Sequence, residues 1–196
     1  NAYCQRIRGE RAENIEKAIA YHRATLEVYT RTAYPEGWAE TKNNLATAYL
    51  YRIRGKRAEN IEMAIAYYQA ALEEVYTRTA YPEGWAETKN NLAAAYLYRI
   101  RGERAENLEK AIACCQLALE VYTRQAFPYN YVETSFSLGL AYQKLQQWQL
   151  AYDTFDNAIE TVEEIRAGIV KGGDADKQKL AEEWQKLYQH MVEVCI

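Results

Sequence analysis

The stretch YPEGWAETKNN occupies residues 34–44 and returns letter for letter at residues 81–91. Aligning 34–71 with 81–118 extends the match to 38 positions, of which seven differ: Thr47/Ala94, Lys56/Glu103, Ile61/Leu108, Met63/Lys110, Tyr67/Cys114, Tyr68/Cys115 and Ala70/Leu117. The register continues in both directions. AYCQRIRGERAENIEKAIA at 2–20 is a third copy of AYLYRIRGKRAENIEMAIA at 48–66, and FPYNYVETSFSLGLAYQK at 127–144 is a diverged copy of the segment that begins at Tyr81. The period is 46 or 47 residues, with the additional residue at the Glu73-Glu74 doublet. A fixed period in this range marks stacked supersecondary units, none of which can bury its apolar face alone.

Each unit reads as two helices. Trp38, Leu45, Tyr49 and Ile53 recur at sevens and fours, as do Ile61, Ile65, Tyr68 and Leu72, so both halves carry a helical apolar stripe. Pro35 and Pro82 suit a first helical turn, where the missing N–H is not needed. Gly55 and Gly102 can take the left-handed conformation that follows a helix. Asn14, Asn60 and Asn107 are expected as N-caps, with Glu16, Glu62 and Glu109 favouring the positive helix end. No segment alternates like a strand.

Composition sets the outer limits. Forty-nine per cent hydrophobic and 26% charged residues fit a globular chain, and a net charge of −3 does not single out a nucleic acid or a membrane. No apolar run reaches membrane-span length and no leader opens the sequence. The four cysteines, Cys4, Cys114, Cys115 and Cys195, form no C-x-x-C pair and stand as reduced thiols, as in a cytoplasmic protein. Residue 1 falls inside a helix and Val194-Cys195-Ile196 ends on an apolar stripe, so the ends read as those of a fragment.

The motif Leu138-Gly139-x-x-Tyr142, followed by Ala151-x-x-x-Phe155-x-x-Ala158, resembles a tetratricopeptide repeat. Leu45-Ala46-x-x-Tyr49 with Ala64-x-x-x-Tyr68-x-x-Ala71 fits the same pattern. The family's first-helix tryptophan is missing, replaced by Lys42, Lys89 and Ser135, while Trp38 and Trp85 stand one turn earlier. RAENIEKAIA, NNLATAY and KQKLAEEWQKLYQHMVEVC are similar to the long-period arrays that precede caspase-like protease domains in large bacterial proteins. The resemblance implies an all-α solenoid, a right-handed superhelix of antiparallel helix pairs. Repeats would occupy 1–167, and a loop and C-terminal capping helix 168–196. Leu180, Trp184, Leu187 and Met191 form one face of that last helix.

The usual period of such repeats is about 34 residues. Part of the excess lies between Tyr49 and Ala64, and the rest is expected to lengthen the second helix through VYTRTAYP. Helices of about 18–22 residues, or roughly 27–33 Å, follow.

Nothing in the sequence assembles a catalytic site. His22 aligns with Tyr68, Cys115 and Phe155 on a buried stripe and reads as a packing residue. Cys114-Cys115 replaces Tyr67-Tyr68 and reads as a packing substitution. His190 has no nearby cysteine or serine in sequence. No phosphate loop or metal-ligand cluster appears, so no cofactor, no metal and no enzymatic activity are expected.

The resemblance assigns binding to the first helix of each pair. Glu40, Asn43, Asn44, Thr47, Leu50 and Tyr51 would face a concave groove, followed by Glu87, Asn90, Asn91, Ala94, Leu97 and Tyr98. Glu133, Phe136, Ser137, Leu140, Gln143 and Lys144 continue the series. Amides both donate and accept, so stacked asparagines can hold an extended peptide backbone; alternatively, some of them only tie adjacent helices together. A second feature is the basic connection, in which Arg52, Arg54 and Arg57 recur as Arg99, Arg101 and Arg104, and earlier as Arg6, Arg8 and Arg11. Interleaved glutamates suit a salt-bridged solvated edge, with nucleic-acid or acidic-partner binding as the alternative. The expected function is a non-catalytic scaffold that captures a peptide or partner domain in the groove, or else a regulatory arm on a linked effector domain.

Overall fold

The computed structural model describes residues 10–168 and 184–195. Among these there are eight helices and no strand. They are α1 (Arg11–Val28), α2 (Pro35–Leu50), α3 (Arg57–Glu74), α4 (Pro82–Leu97), α5 (Arg104–Leu119), α6 (Pro128–Lys144), α7 (Trp148–Gly168) and α8 (Gln185–Cys195). The closest-packed pairs are α2 with α3, α4 with α5 and α6 with α7, and each pair then packs on the next to give an α-solenoid. The first helices α2, α4, α6 and α8 also touch in succession, which brings them to the inner side of the stack. Leu180 and the partial repeat at 1–9 lie outside the described residues.

The two apolar stripes meet between the helices of each pair. Ile15, Leu45, Ile61, Tyr68, Leu108, Cys115 and Phe155 are almost wholly buried. Ile53, the expected end of a stripe, is instead exposed in a connecting loop, as is Ile100 one unit on, because α2 and α4 stop at Leu50 and Leu97. Gly139 shows why a small residue is needed in the first helix: a Cβ there would stand 2.3 Å from the Phe155 ring. Leu187 of α8 is buried in the same core, and Trp184 and Met191 pack against it, so the terminal helix covers the last pair.

Three expectations are corrected. First, VYTRTAYP does not extend the second helix. α3 ends at Glu74, and the chain turns through 75–81 before α4. Thr77 holds this turn, its Oγ1 accepting from the Ala80 N–H at 3.1 Å while its carbonyl accepts from the Tyr81 N–H at 2.9 Å. Thr30 with Ala33 and Thr123 with Ala126 repeat it. A threonine hydroxyl that serves the backbone locally competes with helix continuation. Against the expected length of about 18–22 residues, α1 and α3 reach 18 and α7 reaches 21, whereas α2, α4 and α5 have 16 and α6 has 17.

Second, Asn14, Asn60 and Asn107 are not N-caps. The N-cap positions are Glu10, Lys56 and Glu103, and each asparagine lies buried one turn inside its helix. Asn60 Nδ2 donates to the Arg54 carbonyl and Asn107 Nδ2 to the Arg101 carbonyl, each at 2.8 Å. The amide thus fastens the preceding loop, where Gly55 and Gly102 take φ of 83° and 78°, a region open to glycine without a steric penalty.

Third, Glu16 and Glu62 serve arginines of the next unit rather than their own helix ends. Arg52 Nε and Nη2 donate to Glu16 at 2.8 and 2.9 Å, and Arg99 repeats this on Glu62 at 2.9 Å for both bonds.

Candidate functional site

On the inner face, α2 and α4 are joined by amides. Asn43 is buried, its Nδ2 donating to Glu87 Oε1 at 3.2 Å and its Oδ1 accepting from Asn91 Nδ2 at 3.4 Å. Asn43 is therefore occupied as a tie between helices, the second of the two roles open to these asparagines.

The ladder does not continue to α6. The counterpart of Asn91 one unit on is Ser137, whose hydroxyl donates to its own helix at the Glu133 carbonyl, 3.2 Å away. Asn90, the counterpart of Asn43, is left with its Oδ1 buried and without a hydrogen-bond partner. A buried carbonyl oxygen in that state costs the molecule free energy that an incoming N–H donor would recover.

Beside that oxygen a cleft of about 350 Å3 opens between α4 and α6, lined by Glu83, Glu87, Asn91, Tyr122, Phe127, Asn130 and Glu133 together with Asn90. Its chemistry is acceptor-rich. The Glu87 carboxyl is pushed above its ordinary value by burial and by the charge of Glu40, although the Asn43 amide pulls it down. Burial raises the Tyr122 phenol as well, and the nearby glutamates add to this; its hydroxyl donates to the Glu83 carbonyl at 3.4 Å. Tyr122, Phe127 and Asn130 were not candidates from sequence, because they belong to the α5–α6 turn and the start of α6, where the repeat diverges. The loss of an asparagine at Ser137 was the available signal.

The other groove candidates divide. Tyr51 and Tyr98 are exposed at the ends of α2 and α4, and Asn44 and Asn91 are half-buried. The Tyr51 phenol is raised, chiefly by the part of the side chain that is buried and then by Tyr98. Thr47 turns toward α3, where its hydroxyl meets the Tyr68 hydroxyl at 2.8 Å. Leu50 and Leu97 are core residues rather than groove residues, both buried in the main apolar core. Phe136 packs against Phe155 and His190 at ring distances of 6.1 and 5.6 Å, partly under α8, while Lys144 is exposed at the end of α6.

The basic edge is engaged internally. Besides the pairs of Arg52 and Arg99, Arg57 donates to the Leu50 carbonyl and Arg104 to the Leu97 carbonyl, at 2.8 Å in the second case, so each closes a helix C-terminus. Arg54 and Arg101 are exposed. His22 is half-buried with its imidazole pKa lowered by burial, and Cys115 is fully buried with its thiol pushed up by the same cause. Among the described residues no cluster of histidine, cysteine or carboxylate side chains could hold a metal ion, and no helix is long and apolar enough to cross a membrane.

Residues 85–121, spanning most of α4 and all of α5, match a family model described as a tetratricopeptide repeat. No curated protein and no solved structure matches the chain.

Proposed function

We propose that this chain, a tetratricopeptide repeat protein by the matched unit and the helical array that repeats it, captures an extended segment of a partner protein along the inner face of α2, α4 and α6. Tetratricopeptide arrays mediate protein–protein interactions and are typically non-catalytic. The observation that carries the more specific reading is the interrupted amide ladder: Asn90 Oδ1 is buried without a donor at the edge of a cleft of about 350 Å3.

A peptide N–H reaching Asn90 takes the place that an asparagine at position 137 would occupy. Asn44 and Asn91 offer further amides, and Tyr51 and Tyr98 offer flat, rigid contact area. Glu83, Glu87 and Glu133 favour a segment rich in donors, with lysine or arginine side chains near the cleft. The Arg edge, being committed to Glu16, Glu62 and helix ends, has little role in this binding.

Peptides selected from a random display library on the wild-type chain test the proposal. Binding of the selected peptides should fall about five- to a hundredfold in Asn90→Leu and in Asn44→Ala/Asn91→Ala, as expected when about 1–3 kcal/mol of buried hydrogen bonding is lost. Equal affinity for folded variants would move the site off this face.

A further inference from the structure

The space between α3, α4 and α5 carries a second feature, visible by comparing two units that are otherwise nearly identical. In α3, Tyr67 lays its ring against Tyr49 with centroids 5.7 Å apart and planes 30° from parallel. Lys42 Nζ lies 4.9 Å from the centre of that ring and 5.0 Å from the Trp38 ring, so the ammonium is shared by two aromatic faces. One unit on, the platform returns as Tyr96, Lys89 and Leu92, but the ring does not: the residue aligned with Tyr67 is Cys114.

Where that ring would lie there is a pocket of about 350 Å3, lined chiefly by Leu72, Lys89, Leu92, Tyr96, Cys114 and Leu117. Leu117 is larger than its counterpart Ala70, yet the space remains. Lys89 retains the tryptophan but not the tyrosine, with Nζ 5.6 Å from the centre of the Trp85 ring. At the next position of the series stands Thr154, again small, and a narrower pocket of about 190 Å3 opens there beside Leu138 and Tyr142. The space is thus filled where the chain supplies a tyrosine and open where it does not.

We propose that the pocket between α3, α4 and α5 is a socket for the side chain of a tyrosine or phenylalanine from a partner protein. The incoming ring lies on Tyr96 and below Lys89 as Tyr67 lies on Tyr49 and Lys42. The occupant is named by the molecule's own template. Stacking on a tyrosine, a cation over the ring face and an apolar floor hold Tyr67, with Arg23 hydrogen-bonded at its phenol; the first three are presented to solvent around Cys114, and Gln69 lines the pocket at the position aligned with Arg23. Occupancy of this socket does not depend on the inner-face cleft.

The test uses p-cresol, the tyrosine side chain as a free molecule, titrated against the whole chain with NMR detection. Saturable shifts are expected at Leu92, Tyr96 and Leu117, with a Kd on the order of 1 mM for so small a ligand. Cys114→Tyr restores the arrangement already present at Tyr67, so it is compatible with the fold, and it should abolish the shifts. Lys89→Gln, which leaves the socket open, should weaken binding about two- to fivefold. Asn90→Leu should leave it unchanged. Absence of saturable shifts at these residues in the wild type, or undiminished shifts in Cys114→Tyr, would overturn the proposal. So would equal binding of cyclohexanol, which has no aromatic face for Lys89 or Tyr96.

Discussion

Arg99 holds Glu62 by two hydrogen bonds of 2.9 Å, Nε to Oε1 and Nη2 to Oε2, and so ties the loop after α4 to α3 of the preceding pair. The same guanidinium donates its Nη1 to Asn107 Oδ1 at 3.2 Å, while that amide fastens the Arg101 carbonyl. One side chain therefore joins two pairs of helices and fixes the entrance to α5. Arg52, Glu16 and Asn60 repeat the device one unit earlier.

Arg99→Ala should cost about 1–3 kcal/mol in urea unfolding, because a charged, bidentate partner is lost at a site where both side chains are only about a quarter exposed (23% and 25%). The exposed pair Lys17–Glu13 gives the contrast, and Lys17→Ala should leave the urea midpoint almost unchanged. Neither change should alter affinity for a segment bound on the inner face.

The sign of the pH dependence follows from the same contact. Hydrogen bonding to Arg99, against a smaller opposing effect of burial, holds the Glu62 carboxyl below its ordinary value, as Arg52 does for Glu16. A lowered folded-state value adds stability that is fully present above the unfolded value of about 4.3 and is lost as pH falls through the folded value. Wild type should therefore exceed Glu62→Gln in urea midpoint at pH 7, and the difference should shrink in acid below about pH 4. Glu87, raised mainly by burial, has the opposite sign. Glu87→Gln should gain stability at pH 7, and that gain should vanish in acid.

Gly139→Ala should destabilise by about 1–3 kcal/mol through overpacking, since its Cβ would meet the Phe155 ring. Phe155→Leu in the same chain should recover part of the loss, because the obstructing ring is gone. Additive losses in the double variant, measured by chemical denaturation, would locate the strain elsewhere.

Ser137→Asn restores the missing rung. The new amide can donate to Asn90 Oδ1, as Asn91 donates to Asn43, and should raise stability by about 1 kcal/mol. The same change should weaken partner binding on the inner face by satisfying the oxygen in advance. A gain in stability with no loss of binding would separate the ladder from recognition.

Much of this fold can be read from the chain. The 31 identities across 38 aligned positions left the period, the helix pairs and the buried stripes in view, and Pro35 and Pro82 do begin their helices, with Pro128 found in the same place in α6. What stayed hidden was decided by contacts between units. Asn60 has the chemistry of an N-cap, but it lies inside its helix and fastens the loop behind it. Val75 and Tyr76 are buried like helix residues, so the apolar pattern could not reveal that Thr77 turns the chain just beyond them. The inner-face asparagines were visible as candidates, but their division into tie and contact depends on Ser137, where a similar sequence makes a different bond.

The most direct measurement is hydrogen exchange on the whole chain, alone and saturated with a peptide selected on the wild type. The account predicts slower exchange concentrated in α4 and the first turns of α6, around Asn90, Asn91 and Asn130, with little change in the loops at 52–56 and 99–103. Protection confined to those arginine loops, or to the outer faces of α3 and α5, would contradict the inner face as the principal binding surface.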